Sequence, residues 1–278
     1  MSMSQSGMHR NPLWCCFLAL LVLYSSHSFA LNNAQAEAIL KHLHEVQTHS
    51  YQTINAYYNF TLNPGDKDIQ SEVNQEIDIM NTAFKALESQ DGIVEVQGEL
   101  SVMSATWLKY KELLNTNMND IVKVGYPDLR LVGDMAQVNI DLVGATERTY
   151  DKTMEISGHR PPEVIELVRN SKIILESMLT KYSARSASNV TQIFQGAKSE
   201  EPMDVQAISF DKNIARLLAS QQNTDATRKT LDAISTKWEF IKNSYINYNE
   251  NNVSYVVNLY SKRIISDLDS LAKAYSGA

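Results

Sequence analysis

The sequence predicts an all-α protein: two tandem up-down four-helix bundle units behind a cleaved signal peptide. Three observations carry that expectation. Apolar residues recur at steps of three and four over long stretches, with no strand-like alternation of similar length. Breaks containing Gly or Pro separate those stretches. A tryptophan-centred segment also occurs twice in matching register.

The N-terminus has the layout of a secretory leader. Met1 to Arg10 is polar, Leu13 to Tyr24 is apolar, and Ser28-Phe29-Ala30 supplies small residues for cleavage after Ala30. The apolar run falls short of the roughly 20 residues that a spanning helix needs. Residues 1–30 are therefore expected to be removed on export to a bacterial periplasm, leaving no stable membrane insertion. Cys15 and Cys16 leave with the leader, so the mature chain has no thiol and no disulfide. Arg10 is the only Lys or Arg of the leader. Its loss takes the net charge from −7 to −8, with 32 Asp+Glu and no dense basic block. That balance disfavours nucleic acid and anionic lipid as partners.

The first unit is expected over residues 31–160. Its stripes run Ile39, Leu43, Val46, Ser50, Ile54, Tyr57; then Ile69, Val73, Ile77, Met80, Phe84, Leu87; then Val96, Leu100, Met103, Trp107, Tyr110, Leu114; then Leu131, Met135, Val138, Leu142, Ala145. Near-strict alternation of +3 and +4 predicts the narrow seam of a bundle helix. Asn63-Pro64-Gly65-Asp66, Gln90-Asp91-Gly92 and Gly125-Tyr126-Pro127-Asp128 fall between the stripes. In the last of these, Gly125 can end a helix in the left-handed conformation, Pro127 stops its continuation, and Asp128 can cap the next one.

The second unit is expected over residues 161–278, after the break Gly158-His159-Arg160-Pro161-Pro162. Its stripes are Val164, Val168, Ser171, Leu175, Met178, Tyr182; a less regular Val205, Phe210, Ile214, Leu217; then Leu231, Ile234, Trp238, Ile241, Tyr245; and Val253, Val257, Tyr260, Ile264, Leu268, Leu271, Tyr275. ATWLKYKELL (105–114) lies over TKWEFIKNSY (236–245) with Trp107 on Trp238 and Lys111 on Lys242. The same offset carries Leu31 to Pro162, inside the proline break, as a duplication requires.

Catalytic motifs are missing. There is no Gly-rich phosphate loop, no G-x-S-x-G elbow and no H-E-x-x-H pair, so a non-enzymatic protein without a cofactor is expected. Two sets of residues remain as candidate sites. His42, Glu45 and His49 share one face of the first helix and could together ligate a metal ion; His42-Leu43-His44-Glu45 also matches the bare H-x-x-E spacing of imelysin-like periplasmic proteins. Trp107 and Trp238 could wall a ligand site or fill a core. Arg169 and Lys172 are polar groups beside a seam and could face a ligand.

Trp107 followed by Leu131, Met135, Asn139 and Tyr150, and Trp238 followed by Ile264, Leu268 and Tyr275, form a pattern. It resembles the periplasmic four-helix sensor domain of nitrate/nitrite sensor kinases and type IV pilus chemotaxis transducers. The resemblance implies a sensory or accessory role, with a small-molecule ligand or a periplasmic or membrane signalling protein as partner. A free-standing version is expected, without transmembrane or signalling modules. Where that domain carries an arginine-rich anion box, residues 169–183 offer Lys172, Ile173, Glu176 and Met178 instead.

Overall fold

A computed structural model describes residues 31–187, 201–248 and 253–277; the expected leader lies outside them. The described residues are all-helical, with eight α-helices, one short 3-10 turn and no strand. The helices are α1 (Asn33–Leu62), α2 (Lys67–Glu88), α3 (Gln97–Val124), α4 (Leu129–Ser157), α5 (Glu163–Ala187), α6 (Met203–Leu218), α7 (Asp225–Ile246) and α8 (Ser254–Ser276).

The ends of these helices follow from local chemistry. Asn32 and Gln35 form a reciprocal capping box at the start of α1, and Thr224 and Thr227 form one at the start of α7. Asp66 caps α2 by accepting from the amides of Asp68 and Ile69. The turn between α3 and α4 is built as its residues predict. Gly125 adopts φ 90° and donates its N–H to Ile121 O at 2.9 Å. Asp128 then accepts from the amides of Arg130 (2.8 Å) and Leu131 (3.3 Å). Gly158 ends α4 in the same left-handed way before the double proline.

Buried apolar side chains fall into two clusters. One joins Leu31, α1–α4 and Ala184; the other joins α5–α8 around Phe210, Trp238 and Tyr245. Helix α1 lies against α2, α4 and α5, whereas α5 lies against α1, α6 and α8. The two clusters therefore meet at an α1–α5 joint.

That joint corrects the expectation of narrow seams throughout. Helix α2 buries only Val73, Met80, Ala83, Phe84 and Leu87. In contrast, α1 also buries Thr48, Ser50, Thr53 and Asn55, and α5 buries Ser171, Lys172, Glu176, Ser177, Thr180 and Ser183. A helix with three neighbours keeps little solvent-facing surface, so its polar residues are covered too. Seven stripe members lie shallower than their spacing predicts. Val205 and Val253 are exposed, Ile69, Ile77, Tyr260 and Tyr275 are half-buried, and Val132 rather than Leu131 fills the core at the start of α4.

Candidate ligand site at the joint

Trp107 and Trp238 stand in the interiors of the two clusters, 3% and 1% exposed. Each indole N–H finds an acceptor on the preceding helix. Trp107 Nε1 donates to Asn81 Oδ1 at 3.1 Å, and Lys111 Nζ donates to the same oxygen at 3.2 Å. Trp238 Nε1 donates to Asp211 Oδ1 at 2.5 Å, and Lys242 pairs with the other Asp211 oxygen. Phe84 stacks on Trp107, and Phe210 lies against Trp238 with ring centres 4.5 Å apart. Both tryptophans thus wall a core rather than a cleft. The acceptors lie 26 and 27 residues upstream of them.

His42, Glu45 and His49 do not come together as one ligand set. His42 Nδ1 bonds Glu45 Oε2 at 2.8 Å, while His49 Nδ1 bonds Glu76 Oε2 of α2 at 3.0 Å. Residues seven apart on a helix share a face but stand about 10 Å apart along its axis, too far for both imidazoles to reach one ion. Among the described residues no group of three His, Cys, Asp or Glu side chains could hold a metal ion.

Arg169 reaches across the joint to α1 and Lys172 reaches α8 within its own cluster, and both are matched by carboxylates. Arg169 donates to Glu37 Oε1 at 2.7 Å and to the Tyr150 hydroxyl at 3.0 Å. Tyr150 in turn donates to Glu166, and His159 Nε2 bonds the second Glu37 oxygen at 2.9 Å. A cleft of about 180 Å³ opens beside this network, lined by His44, Gln47, Glu147, Tyr150 and Arg169 among others. Burial, with Lys172, Arg169 and His49 nearby, holds the His44 imidazole well below its ordinary range. Lys172 Nζ donates to Asp269 Oδ1 of α8 at 2.6 Å. Neither cation is left with spare charge for an anion.

On another side of the joint, a cleft of about 250 Å³ lies between α1, α2, α5 and α8. Its polar lining comprises Gln52 and Asn55 of α1, Glu72 and Glu76 of α2, Glu176 of α5, and Lys262, Ser266 and Asp269 of α8; Leu179 and Ile265 supply apolar surface. Glu176 is 1% exposed, and its Oε1 accepts from Gln52 Nε2 at 2.5 Å. Its Oε2 is buried and accepts no hydrogen bond from the described residues. Asn55 Oδ1 is in the same condition, although Asn55 Nδ2 donates to Asn258 Oδ1 at 3.5 Å. Burial pushes the Glu176 carboxyl up to about 7, against the pull of Gln52 and Lys172 and with a further push from Glu76 and Asp269.

Sequence reasoning placed Glu176 only as a departure from an arginine box, and it did not single out Gln52 or Asn55. The available signal was polar residues packed among seam positions on α1 and α5, which marks a helix with more than one buried face. In comparisons with known proteins, the chain matches no family model, no curated protein and no solved structure.

Proposed function

We propose that this is an exported, non-enzymatic helical-bundle protein that binds a small ligand at the α1–α5 joint, in a sensory or accessory role. One observation carries the reading: Glu176 and Asn55 both line an open cleft, and each has a buried oxygen, Oε2 and Oδ1, that accepts no hydrogen bond from the described residues. Buried polar groups are ordinarily paired, so open ones beside a cleft favour an external partner.

We read the architecture as two tandem four-helix units, 31–160 and 161–278, separated at the double proline. The pairing of each tryptophan with an upstream Asn or Asp and a lysine four residues on supports duplication. Kinship with the periplasmic sensor domains belongs to the same proposal, and export rests on the leader-like residues 1–30.

Thermal shift against a panel of small cations, anions and neutral solutes, together with cell fractionation, tests this reading. We expect the chain in the periplasmic fraction and at least one solute class to raise the melting temperature in a saturable way. A cytoplasmic chain whose melting no solute moves would sink it.

A further inference from the structure

The cleft between α1, α2, α5 and α8 offers more acceptors than donors. Its carboxylates are Glu72, Glu76, Glu176 and Asp269. Its lining cation, Lys262, is already paired with Glu72, and Lys172 is spent on Asp269. The two open atoms are both oxygens, and both are buried: Glu176 is 1% and Asn55 3% exposed. An occupant must therefore bring hydrogen-bond donors, and the surplus of carboxylates favours a positive charge. The carboxylates do not converge as metal ligands, since no three such side chains among the described residues could hold an ion. Hard cations require several oxygens at short range, whereas a primary ammonium has three N–H groups and is satisfied by fewer acceptors. Leu179 and Ile265 add apolar surface suited to a short alkyl chain.

We propose that this cleft binds a small protonated primary amine, its ammonium donating to Glu176 and Asn55 and its alkyl chain lying against Leu179 and Ile265. The proposal rests on the ligand-binding reading above and adds the charge and chemical class of the ligand. A diamine gains further where its second ammonium shares Glu72 with Lys262 or Glu76 with His49 at the cleft wall.

The site also couples binding to protons. Glu176 stands at about 7 and is faced by Lys172 on its own helix, Glu76 of α2, Asp269 of α8 and Tyr245 of α7. An arriving ammonium favours the ionised carboxyl and displaces its proton, so binding at pH 7 releases protons and strengthens as pH rises toward 8.

Isothermal titration of the full chain, expressed with its leader, tests this with putrescine as the probe and sodium nitrate, sodium acetate and glucose as controls. We expect saturable one-to-one binding of putrescine, with proton release seen as a heat that depends on buffer ionisation enthalpy. Glu176→Gln should weaken binding by about tenfold or more, the loss of a charge-assisted hydrogen bond. Lys262→Ala, at a more exposed position, should tighten it by about threefold by removing a competing cation. Putrescine binding unchanged in Glu176→Gln and in Lys262→Ala would overturn the assignment. Silence with putrescine but binding of a control would overturn the amine and leave the ligand-binding reading standing. Silence with every solute tested, there and in the thermal-shift panel, would remove both.

Discussion

Glu176 shows what one buried carboxyl does to the stability of the fold. Its pKa rises from an ordinary 4.5 to about 7 on folding, chiefly through burial. The folded chain thus holds a proton that the unfolded chain gives up between those values. Stability is undiminished below pH 4.5 and falls as pH rises through about 7, by on the order of 3 kcal/mol if the whole shift is expressed. Glu176→Gln removes the titrating group but keeps an oxygen for Gln52. Urea unfolding at pH 5 and pH 8 should show the variant gaining on the wild type as pH rises. Any constant offset from the new amide cancels in that difference. A gap between the two proteins that is equal at both pH values would show that Glu176 keeps an ordinary pKa. His44 contributes with the opposite sign. Its lowered pKa makes it cost stability as pH falls below about 6.5, but the substitution leaves that slope in both proteins.

At the scale of the element, a helix terminus is worth a definite amount. Asp128 satisfies two orphan amides of α4 from an exposed turn, so Asp128→Ala should cost about 1 kcal/mol. Chemical denaturation with an unchanged m-value measures it; no loss would mean that water caps α4 equally well. This turn was legible in the sequence because every determinant lies within four residues, Gly125 to Asp128. The stripes of α3 and α7 were legible for a related reason. Each of those helices buries one face, and hydropathy reports one face well. Helices α1 and α5 were only half legible. Their apolar stripes were read correctly, but the polar residues they bury, such as Thr53, Asn55, Glu176 and Thr180, are covered by distant helices. Hydropathy assigns such residues to solvent. The acidic cleft escaped for the same reason, since it forms only when α1, α2, α5 and α8 converge. The metal face misled because a shared helix face does not specify separation along the axis. Once folded, His49 had a nearer partner in Glu76.

Across the whole molecule, the question is whether the two clusters melt together. The joint between them is mixed in character. Gln52 bonds Glu176, Thr180 donates its hydroxyl to Tyr51 O at 3.3 Å, Arg169 holds Glu37, and Lys262 pairs with Glu72. The described residues from Leu31 onward also form one compact unit. Opening either cluster alone would expose the long shared face of α1 and α5 and strand the Arg169 and Glu176 networks. Leaving a buried polar or charged group unpaired costs about 1–3 kcal/mol or more per group, enough to couple the clusters. The chain carries its own reporters, because Trp107 and Trp238 stand one in each cluster; the third tryptophan, Trp14, lies outside the described residues and is replaced by Phe throughout. Trp107→Phe leaves fluorescence from the α5–α8 cluster, and Trp238→Phe leaves it from the α1–α4 cluster. Each substitution forfeits an indole hydrogen bond, so both variants should melt somewhat below the wild type. Within each variant, indole fluorescence and helical circular dichroism should nevertheless fall in one coincident transition. Two separated steps, with fluorescence following only one of them, would mean that the joint is too weak to couple the clusters. In that case Arg169→Ala, which removes the cross-joint hold on Glu37, should leave both steps where they were; in a coupled molecule it should pull a single transition apart.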